Sequence, residues 1–399
     1  MIVDTLLKNS DLLKIGGFRF IEKLARKITL SDLCGKDDED VYALLKQLRL
    51  LKIGGFRFVE RLGGQSALSS LYEKDDEKVV FKFLIAPRNS VEIERFKLEY
   101  SVLMYNPANS AWLGDNQFIP DISRFIGPET SYPLPTIKVS LESLYNNSVY
   151  YFAYLYEEGD ILDDLDTSKY TIEDKISLLH RIASSMHYFN RVGYVHRDLH
   201  PKNILLLANH SMDPNSIEND PRVKFLDMGN CQRDNSAGNS IFNEVYKNAR
   251  DLDEYAVFQD NNRRVLSSFV CMPPDFLEKG NDTENYDSWA FGVYAYTLIF
   301  GKEPFDVKHI EDITAIRRHF VNLPQEYRRN LNDAPLGLRL ILEHLLSMEG
   351  ENRPSIDSIV RLFSWLVYRS DDFQEYNFIM SVIRNSGYDP NDDWVQSNY

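Results

Sequence analysis

The sequence predicts an α+β fold with two lobes, a small β-rich N-lobe and a larger helical C-lobe, preceded by an N-terminal extension. Two patterns along the 399 residues indicate this arrangement. Alternating or continuous apolar runs, typical of strands, lie between residues 55 and 156. After Gly159, apolar residues recur mostly at helical spacing. Strands followed by helices along one chain are typical of the α+β class.

The N-terminal region contains a duplication. The segment LLKIGGFRFIEKL at 12–24 returns as LLKIGGFRFVERL at 50–62, and KDDEDV and KDDEKV follow at the same offset. Residues 1–49 are therefore predicted to be an N-terminal extension, a degenerate and partly helical duplicate of 50–87. Two copies are too few for a solenoid, so a local duplication is the simpler interpretation.

The two copies predict different elements. In the second copy, FRFVERL alternates like a strand, KDDEK is a turn, and VVFKFLI is a buried strand that contains Lys82. In the first copy, apolar residues recur at helical spacing over 39–50. We expect this amphipathic helix to pack on the N-lobe sheet or near the next helix.

The remaining elements follow from the same spacing rules. The N-lobe is completed by a helix at 91–105, a loop-rich insertion at 106–135, and strands at 136–141 and 148–156. Helices of the C-lobe are predicted at 171–192, 286–300, 311–320, 334–347 and 355–367. The predicted boundaries are 1–49 for the extension, 50–158 for the N-lobe, 159–367 for the C-lobe and 368–399 for a C-terminal tail.

Composition excludes several classes of function. Hydrophobic residues make up 43% and charged residues 26% of the chain, as in ordinary globular domains. The net charge of −15 argues against broad nucleic-acid binding and against binding to anionic membranes. Three widely spaced cysteines predict neither a disulfide framework nor a zinc site.

The same composition favours a cytoplasmic location. No apolar run is long enough to span a membrane, and the first residues lack a signal-peptide pattern. We expect the protein to act in its own cytosol, or in a host cytosol if it is an exported effector.

Three motifs together predict phosphoryl transfer. The segment HRDLHPKN at 196–203 places Asp198 and Asn203 in one loop, and VKFLDMG at 223–229 places Asp227 after a strand. Oxygen ligands of this kind suit Mg²⁺ bound to phosphates, and one remaining carboxylate can accept a hydroxyl proton. The strand residue Lys82 can neutralise phosphate charge.

These motifs resemble those of the eukaryotic-type (Hanks-type) protein kinase family. HRDLHPKN resembles the catalytic loop, Asp227-Met228-Gly229 resembles the DFG motif, and VVFK at 79–82 resembles VAIK. The resemblance covers roughly 55–365, and its motifs occur in the family's order. It implies a bilobal protein kinase-like fold with ATP and Mg²⁺ as cofactors.

The resemblance implies a role for each of these residues. Asp198 would be the catalytic base, Asn203 and Asp227 would hold Mg²⁺, and Lys82 would contact the ATP phosphates. Glu99 is the favoured partner of Lys82. The other candidates on the same predicted helix are Glu92 and Glu94, for which a solvated helix face is the better interpretation.

The implied nucleotide-binding residues depart further from the family pattern. The glycine-rich loop keeps Gly63 and Gly64, but Ser66 and Ser69 stand where later glycines usually occur. A hinge read back from Gly159 would present backbone groups of Tyr154 and Tyr156 to adenine, with Ala153 as gatekeeper. Asp160 would bind the ribose, and a solvated acid is an equal alternative.

Two further features of the C-lobe fit the resemblance. Asp275 stands where the family has the glutamate of Ala-Pro-Glu, and Arg353 resembles the arginine that pairs with it, so a partly buried ion pair is predicted. Arg197 resembles an arginine that receives a phosphate from the activation segment. Candidate phosphorylation sites in that segment are Ser236, Ser240, Tyr246, Tyr255 and Ser267.

The function predicted is an ATP-dependent protein kinase that transfers the γ-phosphate to Ser or Thr of protein substrates, with autophosphorylation. Ser268 favours Ser/Thr, whereas His200 replaces a lysine usual in Ser/Thr kinases and Lys202 stands where many tyrosine kinases have arginine, so a Tyr acceptor stays open. The alternatives are a small-molecule phosphotransferase of kinase-like fold and a pseudokinase that acts as a scaffold.

Overall fold

The computed structural model describes residues 38–48, 50–63, 67–85, 90–104, 136–138, 148–191, 194–207, 223–233, 271–275, 285–305, 331, 334–368, 379 and 381–383. These residues divide into two compact units, one of residues up to 157 and one from 158 onward. The first repeat copy at 12–24, the insertion at 106–135, the helix predicted at 311–320 and most of the predicted tail lie outside the described residues.

The first unit, in its described part, contains a six-stranded sheet and two helices. The strands run in the order β1-β2-β3-β4-β6-β5, and all neighbouring pairs are antiparallel. The strands are β1 (Lys52–Ile53), β2 (Phe56–Gly63), β3 (Leu68–Lys74), β4 (Glu77–Ile85), β5 (Thr136–Lys138) and β6 (Ser148–Leu155). The helices are α1 (Asp38–Gln47) and α2 (Ser90–Met104). The predicted helix at 91–105 and the predicted strands are confirmed, with small shifts at their ends.

Strand β4 forms the centre of this sheet. Its β-branched and aromatic residues favour a pleated strand, and all of them from Val79 to Ile85 are buried. A two-residue turn joins β3 to β4, and Asp75 in this turn has φ of 53°, a left-handed conformation that Asp tolerates better than most residues. Lys82 is therefore fixed within the buried part of the strand.

Helix α1 packs on one face of the sheet. Val41, Leu45 and Leu48 lie in one core cluster with the sheet residues Phe81 and Phe83. The chain then continues along the sheet, where the Tyr72 hydroxyl donates a hydrogen bond to the Leu50 carbonyl at 2.8 Å. The prediction that the amphipathic helix within 39–50 packs on the sheet is confirmed.

Helix α2 packs on the opposite face of the sheet. Its Phe96 and Tyr100 rings lie 4.8 and 6.0 Å from the ring of Phe152 on β6. Phe152 pairs with Lys82 across the two strands. Because successive side chains of a strand point to opposite faces, Lys82 lies on the α2 face while its neighbours Phe81 and Phe83 lie on the α1 face.

The second unit, where described, is mainly helical. Its helices are α3 (Ile172–Arg191), α4 (Tyr286–Phe300), α5 (Leu336–Leu345) and α6 (Ile356–Tyr368). Short strands complete it: β7 (Gly159–Ile161), β8 (Tyr194–Val195), β9 (Ile204–Leu207), β10 (Val223–Phe225) and β11 (Gln232–Arg233). Strands β10, β9 and β7 form one sheet, and β11 pairs with β8. The predicted α+β class is confirmed.

The helices of the second unit begin and pack for identifiable reasons. Thr171 and Asp174 form reciprocal hydrogen bonds at the start of α3, as in a capping box. Helices α3 and α6 are joined by a 2.8 Å hydrogen bond between His180 and Ser364, both buried. Gly292 of α4 allows close packing on α5, because a Cβ there would lie 2.8 Å from the Leu345 Cβ.

Within the described part of the chain, none of the helices combines the length and the apolar character needed to cross a bilayer.

Candidate active site

Lys82 and Glu99 form a buried ion pair in the first unit. The Lys82 Nζ lies 2.8 and 2.7 Å from the two carboxylate oxygens of Glu99. Lys82 is 5% exposed and Glu99 is 4% exposed. The alternation of β4 directs Lys82 to the face on which α2 packs, and α2 carries Glu99. The side chains of Glu92 and Glu94 lie outside the described residues.

The predicted nucleotide-binding residues are only partly described. Gly63 ends β2 with φ of 140°, which favours glycine, whereas Gly64 and Ser66 lie outside the described residues. Tyr154 lies on β6 opposite Val80. Asp160 is exposed on β7, as a solvated acid would be.

The backbone of Tyr156 departs from what a hinge needs. Its N–H donates a hydrogen bond to the Lys78 carbonyl at 3.1 Å, and so extends the pairing of β4 with β6 by one residue. This N–H is therefore already engaged within the first unit. Sequence register alone does not reveal this bond, because it depends on where β6 stops pairing.

Asp198 lies in the second unit within a network of short hydrogen bonds. The Asn230 Nδ2 donates to Asp198 Oδ2 at 3.0 Å. The Asn203 Nδ2 donates to the Asp198 carbonyl at 2.9 Å and lies 3.1 Å from His200 Nε2. The structure thus brings Asp198 and Asn203 together, as the sequence predicts, and adds two residues that were given no role in the site.

The backbone before Asp198 is held by a buried aspartate of α4. Asp287 accepts hydrogen bonds from the N–H of His196 at 2.7 Å and of Arg197 at 2.8 Å. Burial raises the pKa of Asp287, and the nearby His196 together with these backbone donors opposes the shift. Arg197 has φ of 64°, a left-handed conformation that is costly for a residue with a long side chain.

Sequence reasoning assigned Asp287 no part in the site. The residue begins the segment DSWAFG at 287–292, a motif that resembles the start of a C-lobe helix in the family. Asp287 accepts hydrogen bonds from the backbone of His196 and Arg197, about 90 positions earlier in the chain. Its role in this motif is therefore to fix the strained backbone next to Asp198. A motif that resembles a family pattern far from the catalytic loop was the available signal.

Asp227 is brought close to the catalytic loop by the end of β10. The Leu226 N–H donates to the Asn203 carbonyl at 2.8 Å, and the ring of His196 lies 3.0 Å from the Leu226 carbonyl. Asp227 itself has φ of 58° and precedes the short helix Met228–Asn230, in which Met228 is buried. Hydrogen bonds therefore join the segments that carry the three motif residues Asp198, Asn203 and Asp227.

The chemistry of these residues fits Mg²⁺. Because both hydrogens of the Asn203 amide are directed at Asp198 and His200, its Oδ1 is the atom left to act as an oxygen ligand. Among the described residues, no three His, Cys, Asp or Glu side chains converge as a metal site. Mg²⁺ in phosphoryl-transfer sites commonly uses one or two carboxylates plus substrate phosphates, so Asn203 and Asp227 are a sufficient protein contribution.

His200 is held close to the carboxylates of the loop. Its Nε2 lies 3.8 Å from Asp198 Oδ1. Burial lowers the pKa of His200, and the negative charges of Asp198 and Asp227 oppose that shift. The residue stands where Ser/Thr kinases usually have lysine, so a permanent positive charge is replaced at this position by an imidazole.

The predicted ion pair between Asp275 and Arg353 is present and buried. The Arg353 Nη2 lies 2.6 Å from Asp275 Oδ1, and the Gly350 N–H donates to the other carboxylate oxygen at 3.1 Å. The guanidinium also lies 5.9 Å from the ring centre of Trp289. Burial lowers the pKa of Arg353, and Asp275 opposes the shift. The pair is fully desolvated rather than partly buried.

Arg197 is buried, with its guanidinium 5.7 Å from the ring centre of Tyr286. The candidate phosphorylation sites lie outside the described residues: Ser236, Ser240, Tyr246, Tyr255 and Ser267. Ser268 lies outside them as well. The pairing of a phosphate at one of these sites with Arg197 stays a prediction.

Comparison with known proteins agrees with the motifs. Residues 134–364 match the family model described as "Protein kinase domain". The chain is 28% identical to the human serine/threonine-protein kinase ULK1 over 219 residues, which is 53% of this chain and 18% of that protein. It is 22% identical to the Aurora kinase of Schizosaccharomyces pombe over 218 residues, covering 54% of this chain and 50% of that protein.

A third relative is the calcium and calcium/calmodulin-dependent serine/threonine-protein kinase DMI-3 of Medicago truncatula, 26% identical over 180 residues, or 44% of this chain and 28% of that protein. The chain matches half or less of the length of each of these relatives. The family match begins after Lys82 and Glu99, and it includes the whole HRDLHPKN loop and Asp227. With its strand-rich first unit and helical second unit, the chain belongs to the protein kinase domain family and has its bilobal fold.

Proposed function

We propose that this chain is an ATP-dependent protein kinase that transfers the γ-phosphate to Ser or Thr of protein substrates and that it phosphorylates itself. The observation that supports this most is the geometry around Asp198. One oxygen of the Asp198 carboxylate accepts a hydrogen bond from Asn230. The neighbouring Asn203 uses its amide nitrogen in hydrogen bonds, so its amide oxygen can bind a cation. The relatives named as serine/threonine-protein kinases favour Ser and Thr as acceptors.

The reaction follows from the residues of the chain. Asp198 takes the proton of the acceptor hydroxyl while the hydroxyl oxygen forms a bond to the γ-phosphorus. The bond between that phosphorus and the β–γ bridging oxygen breaks, and ADP leaves with its electron pair. Lys82, held by Glu99, binds the α- and β-phosphates. Asn203 and Asp227 would hold Mg²⁺, which would neutralise phosphate charge when bound.

The direct test is transfer of labelled γ-phosphate to a mixture of protein substrates, followed by analysis of the phosphorylated amino acids. We expect phosphoserine and phosphothreonine, and at least a 100-fold loss of rate in Asp198→Asn, because the general base is removed. Phosphotyrosine alone would overturn the acceptor assignment.

Mass spectrometry of the incubated protein, with Asp198→Asn as control, tests autophosphorylation and the five candidate sites.

A scaffold without catalysis is the second candidate. The engaged N–H of Tyr156 favours it, because one backbone donor of the predicted hinge is already bonded. The serines in the glycine-rich loop favour it as well, because their Cβ atoms limit how closely the backbone can approach phosphates. Equilibrium binding of ATP separates the two proposals. Saturable binding with transfer supports the kinase, and the absence of both supports the scaffold.

A further inference from the structure

Asn230 is a buried polar residue that the catalytic motifs do not explain. It ends the short helix Met228–Asn230 that follows Asp227, and it is 7% exposed. Its Nδ2 lies 3.0 Å from Asp198 Oδ2, a contact between residues 32 positions apart in the chain. The motif Asp227-Met228-Gly229 ends one residue earlier, so the sequence pattern itself gives Asn230 no role.

The amide of Asn230 can adopt only one orientation. Its Oδ1 is buried and, among the described residues, has no hydrogen-bond partner. A flipped amide would place this oxygen against the Asp198 carboxylate, where two acceptors repel each other. The protein therefore leaves one buried acceptor unsatisfied in order to keep the donor on Asp198, which is unfavourable for stability alone.

The hydrogen bond distinguishes the two oxygens of Asp198. Oδ2 accepts from Asn230, whereas Oδ1 lies 3.8 Å from His200 Nε2, beyond hydrogen-bond distance. That Nε2 lies 3.1 Å from the Asn203 amide nitrogen, which can only donate, so Nε2 accepts and has no hydrogen to give to Asp198. Oδ1 is therefore the oxygen left to receive a proton.

We propose that Asn230 is a positioning residue that holds the Asp198 carboxylate so that Oδ1 is the oxygen that accepts the hydroxyl proton. The proposal rests on the proposed kinase function. A neutral donor suits this task, because it fixes the direction of the carboxylate without supplying a positive charge that would weaken it as a base. Asn230 acts through Asp198 and is not itself a catalytic residue.

Asn230→Leu is the sharpest test, because leucine has nearly the same size and removes both the donor and the unsatisfied oxygen. We expect the melting temperature to change little, because the loss of the donor to Asp198 is offset by removal of the unsatisfied oxygen. In contrast, kcat should fall about 10-fold to 100-fold, the range of a hydrogen bond to a charged group. The KM for ATP should not change. A structural role alone would lower the melting temperature and leave kcat of the folded protein intact. If Asn230→Leu does not fold, Asn230→Ala replaces it.

The dependence on Asp198 is tested in a double-mutant cycle. In the Asp198→Asn background, Asn230→Leu should cause no further loss of the residual rate, because residues that act as one unit are not additive. An equal fold loss in both backgrounds would overturn the proposal, and so would a wild-type kcat in Asn230→Leu.

Crystal structures of the wild type and Asn230→Leu give a readout that does not need activity. The Asp198 carboxylate should keep its Oδ2 on Asn230 in the wild type and should rotate or become disordered in the variant. An unchanged carboxylate in the variant overturns the positioning role. A wild-type protein that transfers no phosphate overturns the proposed function instead, and the two structures still decide whether Asn230 orients Asp198.

Discussion

At the scale of single residues, the pair of Lys82 and Glu99 shows how strongly burial links two charges. Both side chains are almost completely removed from water, and both carboxylate oxygens contact the same ammonium group. A buried pair of this kind contributes little net stability, but removal of one partner leaves an uncompensated charge. The penalty for a single substitution should therefore exceed that for a double one.

We expect Glu99→Ala to lower the free energy of unfolding by about 3–5 kcal/mol, because the Lys82 ammonium stays buried and loses its contacts with both oxygens of that carboxylate. The double variant Lys82→Met/Glu99→Leu should recover most of this loss. Urea denaturation of the three proteins measures the effect. Glu73→Ala on an exposed position of β3 is the control and should change stability by less than about 0.5 kcal/mol. Equal losses for Glu99→Ala and Glu73→Ala would contradict the prediction.

His180 gives a prediction for pH dependence. Burial, helped by the nearby Arg181, lowers its pKa from 6.5 to about 4. Since the unfolded chain binds this proton at higher pH than the folded protein, stability is fully present above pH 6.5 and is lost as the pH falls towards 4. The loss attributable to this group is about 3 kcal/mol.

His180→Gln should remove that part of the pH dependence. Free energies of unfolding measured at pH 7 and pH 4 should differ by about 3 kcal/mol less in the variant than in the wild type, since glutamine does not titrate. Carboxylates also titrate in this range, and the comparison between the two proteins removes their contribution. Parallel curves for the two proteins would show that His180 is not the group responsible.

At the scale of elements, α1 is the clearest case of sequence spacing deciding structure. The duplicated segments KDDEDV and KDDEKV lead into a helix in one copy and into strand β4 in the other. The continuation YALLKQL has helical spacing and strong helix formers, whereas VFKFLI is aromatic and β-branched. The shared segment is helical from Asp38 in the first copy and contains the turn before β4 in the second, so the different residues that follow it decide the element.

Leu45 anchors α1 on the sheet, and its replacement tests that contact. It is completely buried, so Leu45→Ala should lower the free energy of unfolding by about 2–5 kcal/mol through lost burial and the cavity left behind. Lys46→Ala, next to it on the exposed side of the same helix, should have an effect below about 0.5 kcal/mol. Denaturant unfolding checks both. A Leu45→Ala protein as stable as Lys46→Ala would mean that α1 is a passive appendage.

Elements and their partners were predictable to different degrees. Helix α4 was predicted with its observed ends, because Asp287 begins an apolar run and Gly301 ends it with φ of 69°. The partner of Lys82 was predictable because the segment FKLE at 96–99 resembles the pattern of the corresponding helix in the family. The bond from Asn230 to Asp198 was not, since it depends on the left-handed turn at Asp227, which no spacing rule predicts for an aspartate.

At the scale of the whole molecule, ligand binding should appear as added stability. If Asn203 and Asp227 hold Mg²⁺ with ATP, the complex gains about 2.7 kcal/mol when the ligand is at 100 times its dissociation constant. The melting temperature should therefore rise with ATP and Mg²⁺, and rise less when EDTA removes the metal.

Asp227→Asn isolates the metal-dependent part of that increase. Asparagine tolerates the left-handed backbone at this position, so the fold without ligand should be unaffected. The variant should lose phosphoryl transfer and most of the extra stabilisation by Mg²⁺, because a carboxylate ligand is replaced by a neutral amide. Thermal melts with and without EDTA measure this. An EDTA effect as large as in the wild type would exclude Asp227 as a ligand.

The hydrogen bonds that the backbone amides of His196 and Arg197 donate to Asp287 have a consequence for slow motions of the protein. Their hydrogens are shielded by a side chain on α4 rather than by a neighbouring strand. They can exchange with deuterium only when the first turn of α4 releases Asp287. The exchange rate at these two amides therefore measures how often the strained turn before Asp198 loses its hydrogen bonds to Asp287. The lifetime of that turn thus depends on the first turn of a helix about 90 residues later in the chain.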